Sequence, residues 1–384
     1  MSIDTSTFHA NKGQPVVAQK PSLLLIPEGG TICSRSAEEG NVLDTEVPVE
    51  ILSLLSNQRS DLFSKIRQKG NRKLAESQDV TMKRLEQFGR LVQTAMRETQ
   101  QDIIALVSAH KAPRYAIAAA LALSQDDVLS QKTGRNRSLI LACCSQAIGE
   151  DTNVPLQTVE DAVGLSADTN MRGRGGVLYG DTLHSLTGLE TDKSETPVFR
   201  ERVSKIARKH DNGQWMFTSK LDSQDFAGQG GQFALMPGVR TMVISDDPKQ
   251  QDQNPQLADI KGRGREKNLT GIVLKTKTHR NPLEVIDPKT LEELGDNGIP
   301  ILIVGQCSAL VNGQAENMVT NTSILNENTR LLDGDGMYSG QAKVVLAEAL
   351  AASELLGNIS EAEKMEFIQE RLNSYAFIDR TKAF

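Results

Sequence analysis

Short apolar runs that alternate with helical patterns constrain this chain most. Residues 22–26, 103–107, 139–144 and 175–179 are continuous apolar runs of the kind shown by strands buried on both faces. Between them, residues 49–55, 80–97, 115–123 and 156–165 carry apolar side chains at helical spacing. In 80–97, Met82, Leu85, Phe88, Leu91, Val92 and Met96 fall three and four apart, which predicts one face of a helix. Strand, helix and strand in series mean βαβ units around a mostly parallel sheet. A second set follows, with strands expected at 241–244, 271–274 and 301–304 and helices at 283–294, 343–356 and 361–374.

Other stretches are expected to be less regular: 33–45 a mobile polar loop, 57–75 partly helical, 198–236 irregular structure rich in Gly, Gln, Asp and Ser that leads to a linker, and 246–268 partly loop. A chain of 384 residues is long for one core, so two α/β domains are expected, the larger first. The division reads as a loose extension at 1–20, an N-terminal domain at 21–220, a linker at 221–240 and a C-terminal domain at 241–384.

The first run ends in Pro27-Glu28-Gly29-Gly30-Thr31-Ile32. Two glycines permit dihedrals closed to other residues and let the backbone approach a ligand closely, so Gly30 is a candidate binding residue. Thr31 would then stand at the carboxyl end of a buried strand, where open α/β sheets bind ligands. Further on come Ser77-Gln78-Asp79, a strand that ends in His110, and Arg172-Gly173-Arg174-Gly175-Gly176-Val177-Leu178.

Taken in order, these stretches resemble the bacterial-type L-asparaginase/glutaminase family, and the likeness spans most of the chain. The family's first strand ends in Gly-Gly-Thr-Ile, its substrate is gripped by Ser-Gln-Asp, and a later strand reads Arg-Gly-Val-Leu. The resemblance implies an asparaginase-like pair of α/β domains, with Thr31 as the nucleophile. It also implies intimate dimers, often paired into tetramers, with sites shared between subunits.

Carried over position by position, the catalytic set is incomplete. A threonine hydroxyl needs a base within hydrogen-bond reach. In the family a lid-loop tyrosine and a glutamate serve the first threonine, and an aspartate and a lysine serve a second. The loop 33–45 contains no tyrosine, only Ser34, Ser36 and Thr45 as hydroxyls. The family's His-Gly-Thr-Asp-Thr aligns with His110-Lys111-Ala112-Pro113-Arg114, so the second threonine falls on Ala112 and the aspartate on Pro113. Neither can attack or ionise, and the carboxylate that anchors the substrate's amino group is lost with them. Counting back from Phe199 without a gap puts Glu190 at the lysine position, and a three-residue shift puts Lys193 there. The family's glutamate falls near Gly340, beside Gln341.

The substrate grip is better kept. Ser77 and Gln78 offer a hydroxyl and an amide to an α-carboxylate. Ser77 and Asp79 also suit the N-terminus of the helix that follows, and Asp79 can serve both purposes. His110, at a strand end, could be a base, but the family uses its equivalent structurally, so it reads as a hydrogen-bonded turn residue among the substrate-binding set. Lys111, in place of a glycine, either lowers a neighbour's pKa or pairs outward. Gly173 to Gly176 precede a strand and lack the Lys-Ser/Thr ending of a phosphate loop.

The formal charge of −6 and pI near 5.6 argue against a nucleic-acid surface, despite basic clusters at 67–73 and 261–267. Cys33, Cys143, Cys144 and Cys307 show no metal-like spacing and read as free thiols, so neither metal nor cofactor is expected. The first twenty residues lack an apolar signal core and no stretch is long enough to span a bilayer, so a cytoplasmic chain without membrane contact is expected. The function this implies is a pocket for a small amino-acid-type ligand on an asparaginase-like fold, without the family's ordinary turnover. The alternative is an active amidohydrolase that cleaves amide to acid and ammonia, with Thr31 attacking and a non-standard base, Lys193 or Lys111. An enzyme of altered specificity is a third reading.

Overall fold

The computed structural model describes residues 22–38, 40–58, 61–69, 80–98, 101–108, 111–124, 137–147, 154–186, 205–217, 233–245, 269–276, 286, 298–304, 330–334, 337 and 339–377. Among these residues the chain forms two sheets and a small hairpin.

The first sheet contains β1 (Ser22–Pro27), β4 (Lys65–Gln68), β5 (Asp102–Ser108), β6 (Ser138–Cys144), β7 (Arg174–Tyr179), β8 (Thr182–Ser185), β9 (Lys205–Lys209) and β10 (Trp215–Phe217). Their order across the sheet is β10-β9-β8-β7-β6-β5-β1-β4, parallel from β4 to β7 and antiparallel from β7 to β10. The hairpin of β2 (Ser34–Ala37) and β3 (Gly40–Leu43) stands apart. The second sheet is wholly parallel, in the order β11 (Val239–Ile244), β12 (Gly271–Thr276), β13 (Ile301–Ile303) and β14 (Leu331–Asp333).

Alternation along β1 explains why its run is continuous. Leu23 and Leu25 face the core that contains α1 (Val47–Gln58) and α4 (Val154–Ala167). Leu24 and Ile26 face the opposite core, with α2 (Met82–Glu98) and α3 (Lys111–Ser124). The crossovers β5-α3-β6 and β6-α4-β7 advance in the same direction across the sheet, yet their helices lie on opposite faces. They are therefore of opposite hand. One of the two departs from the usual right-handed rule.

The core on the α2 and α3 side continues into the second sheet. Val239, Val273, Leu302 and Leu332 point into it, beneath α5 (Ser339–Ser353) and α6 (Glu361–Phe377), and α3 packs along α5. The opposite face of that sheet, with Met242, Ile272, Leu274, Ile301 and Ile303, closes a smaller core around Ile286. Ahead of β11, Phe233 to Met236 dock on the helices. Arg90 Nε donates to the Phe233 carbonyl at 2.7 Å, the Phe233 amide donates to Gln93 Oε1 at 3.3 Å, and the Leu235 amide to Glu86 Oε2 at 3.1 Å. Gly89 makes room for the ring, since a Cβ there would lie 2.5 Å from Phe233 Cε1.

Several expectations are corrected. The polar stretch after Thr31 forms the β2-β3 hairpin, tied to α1 by Arg35, which pairs with Asp44 at 2.9 Å and Glu50 at 2.7 Å. Residues 65–68 are not helical but an edge strand beside β1, in which Ile66 packs inward and the charged residues stay in water. Strands β8, β9 and β10 lie outside the expected set, and so does β14. The helix expected at 283–294 lies outside the described residues, Ile286 excepted.

Candidate active site

The strand order reverses at β1. From β1 the chain first goes to β4 on one side, and it then returns to the other side as β5. In open α/β sheets this reversal leaves a crevice at the carboxyl ends of the two strands. The Gly29-Gly30 turn sits at that point. The Glu28 amide donates to the Leu106 carbonyl at 2.9 Å, which fixes the exit from β1 against β5. Gly29 has φ 127° and Gly30 φ 75°, both in the region that favours glycine. Thr31 opens a 3-10 turn, Thr31–Cys33, that packs against the ends of β5 and β6. The Gly30 carbonyl closes the turn, accepting from the Cys33 amide at 2.9 Å and from Ser34 Oγ at 3.0 Å.

On the adjacent strand, α3 starts just after β5. Lys111, Ala112 and Pro113 form its first turn, where a proline is tolerated because the amide it lacks has no intrahelical partner. The fold thus brings the Thr31 turn and the Ala112-Pro113 turn to adjacent strand ends. In the same turn Arg114 is completely buried, its guanidinium 4.7 Å from the centre of the Tyr179 ring on β7. Cys143 on β6 lies near Arg114, and Cys33 ends the Thr31 turn. Burial pushes each thiol up to about 12, so neither is a thiolate nucleophile at neutral pH.

Glu28 and Arg84 belong to this corner, although sequence reasoning alone passes over both. Glu28 is 8 % exposed, and its Oε1 accepts from Arg84 Nε in the first turn of α2. Arg84 Nη2 also donates to the Glu28 carbonyl at 3.1 Å. Burial pushes the Glu28 carboxyl above its usual range, against the hydrogen bond and charge of Arg84, which pull it down. The available signal was a carboxylate directly between a buried apolar run and a glycine pair.

Of the other candidates, Ser77, Gln78, Asp79, His110 and Lys193 lie outside the described residues, as does the Thr31 side chain. The hydroxyl that caps α2 is that of Thr81, which accepts from the Arg84 amide at 3.3 Å. Gly340 and the buried Gln341 fall in the first turn of α5. Next to them Lys275 Nζ donates to Ser339 Oγ at 3.3 Å, and burial lowers the Lys275 pKa. Gly176 is a packing glycine, since a Cβ there would lie 2.9 Å from the His184 carbonyl on β8. Among the described residues, no group of three or more His, Cys, Asp or Glu side chains could hold a metal, and no helix is long and apolar enough to cross a membrane.

Two α/β domains, a large sheet parallel through its centre and a smaller wholly parallel one, with a glycine turn at the first sheet's reversal point, define an asparaginase-like fold. No family model and no curated sequence matches the chain. Solved structures do. A probable cytoplasmic L-asparaginase from Campylobacter jejuni superposes with a TM-score of 0.60 at 12% identity, over 91% of this chain and 99% of that one. L-asparaginase I from Vibrio cholerae gives 0.63 at 12% identity, over 91% and 97%. The thermostable L-asparaginase from Thermococcus kodakarensis gives 0.62 at 16% identity, over 92% and 98%.

Proposed function

We propose that this chain is an asparaginase/glutaminase-like protein that holds a small amino-acid-type ligand at the carboxyl ends of β1 and β5, without the ordinary amidohydrolase turnover. The observation that carries this reading is the first turn of α3. It stands beside the Gly29-Gly30 turn at the reversal point, yet is built from Lys111, Ala112 and Pro113. An attacking hydroxyl and an ionised carboxylate are both missing from its positions 112 and 113. Loss of one member of a catalytic unit typically costs on the order of 10⁴ in rate, and here several are replaced.

In this reading Gly30, Ser77, Gln78, Asp79 and His110 form the substrate-binding set, Asp79 adding a carboxylate. The chain divides at a linker within 221–240, and copies of it assemble as dimers or tetramers. One observation favours the alternative, an active amidohydrolase: the turn that presents Thr31 is intact. Lys193 or Lys111 would then stand in as the base.

Ammonia release from L-asparagine and L-glutamine decides between the two. The expected result is no difference between the wild type and Thr31→Ala, together with a raised melting temperature in L-aspartate or L-glutamate that Ser77→Ala abolishes. Ammonia release that disappears in Thr31→Ala would overturn the reading in favour of the enzyme.

A further inference from the structure

We propose that Glu28 and Arg84 are a positioning pair that sets the Thr31 turn against the start of α2, and with it the geometry of the ligand site. The inference rests on the reading above in placing the ligand beside that turn. Two glycines in succession at positive φ leave the turn with little conformational preference of its own, so its shape must be imposed from outside. On the far side the restraint is the Gly30 carbonyl, which accepts from the Cys33 amide and Ser34 Oγ. On the near side the Glu28 amide is tied to the Leu106 carbonyl, and the next peptide is held by one guanidinium. Arg84 grips the Glu28 side chain with Nε and the Glu28 carbonyl with Nη2, and that carbonyl belongs to the peptide leading into Gly29. Holding both fixes the rotation of that peptide.

The elements on either side do not depend on this pair. Strand β1 is hydrogen-bonded to β4 on one side and β5 on the other. Helix α2 is held by Leu85, Phe88, Val92 and Met96, all buried. What remains for the ion pair to determine is the turn. Both side chains are largely shielded, 19% exposed for Arg84 and 10% for Glu28, so water does not replace either partner freely.

Native-state hydrogen exchange on the full chain tests this, with the Cys33 amide reporting the turn and the amides of β6 reporting the whole fold. In Glu28→Gln the Cys33 amide is expected to exchange at least about tenfold faster while β6 is unchanged. Arg84→Lys, which keeps the charge but not the two-armed grip, should fall between. Where an orphaned charge prevents folding, Glu28→Gln/Arg84→Met removes both charges and gives the same readout. Stabilisation by L-aspartate should shrink in step with Cys33 protection. Unchanged Cys33 exchange, or Cys33 and β6 rising together, would overturn the proposal. If L-aspartate fails to stabilise the wild type, the ligand reading fails, and Cys33 exchange still decides whether the pair sets the turn.

Discussion

Glu28 carries a carboxyl group into a place where β1, β5 and α2 exclude water, and that has a measurable consequence. Because burial raises its pKa, the folded chain keeps a proton that the unfolded chain has already released just above the ordinary carboxylate value of 4.5. In that window the folded state binds more protons, so this residue's contribution to stability falls as pH rises. Asp102, at the opposite ends of the strands, has the same sign: burial raises it, while the Ser138 amide at 2.9 Å and Arg172 at 2.8 Å lower it. Urea unfolding of the wild type and of Glu28→Gln from about pH 4 to about pH 7 should show the wild type losing more stability across the range. Parallel curves would mean that the carboxyl keeps its ordinary value. At this scale the sequence is least explicit. Glu28 and Arg84 are far apart in the chain, and neither residue type announces that it is buried.

Elements were more legible. Helix α6 begins with Ser360 at its N-cap and Glu363 three residues on, each side chain accepting from the other's amide, at 3.3 Å and 2.8 Å. Ser360→Ala should cost about 1 kcal/mol, read as a lowered urea midpoint. The strands with continuous apolar runs and the helices with clear three-and-four spacing stand where the pattern puts them, because burial on two faces or on one stripe leaves a strong signature. Part of what the pattern hid buries little. Strand β4 turns only Ile66 inward, and the β2-β3 hairpin is held by backbone bonds and by Arg35. The β7-β8 hairpin did carry a signal, Gly180-Asp181 between two short apolar runs, with Gly180 at φ 59°. The Gly29-Gly30 turn was readable because two adjacent glycines end a buried apolar run, and both have positive φ. The opposite hands of the α3 and α4 crossovers leave no mark in any local pattern.

At the scale of the molecule, the largest apolar core among the described residues belongs to neither sheet alone. It runs from Leu24 and Ile26 through α2 and α3 to α5, α6 and the inner face of the second sheet. The single tryptophan, Trp215 on β10, lies at the edge of the first sheet, so its fluorescence and the far-ultraviolet dichroism of both sheets should change together on unfolding. Phe233→Ala, which removes the ring seated over Gly89, should cost about 3 kcal/mol and pull the two transitions apart. Transitions that already differ in the wild type would refute the shared core. A core held in common has a further consequence for how such a chain can change over time. Severed at its middle, either half would show bare oil to water where the other once lay. The two halves are thus not interchangeable cassettes, and a lineage that alters α3 must answer with α5.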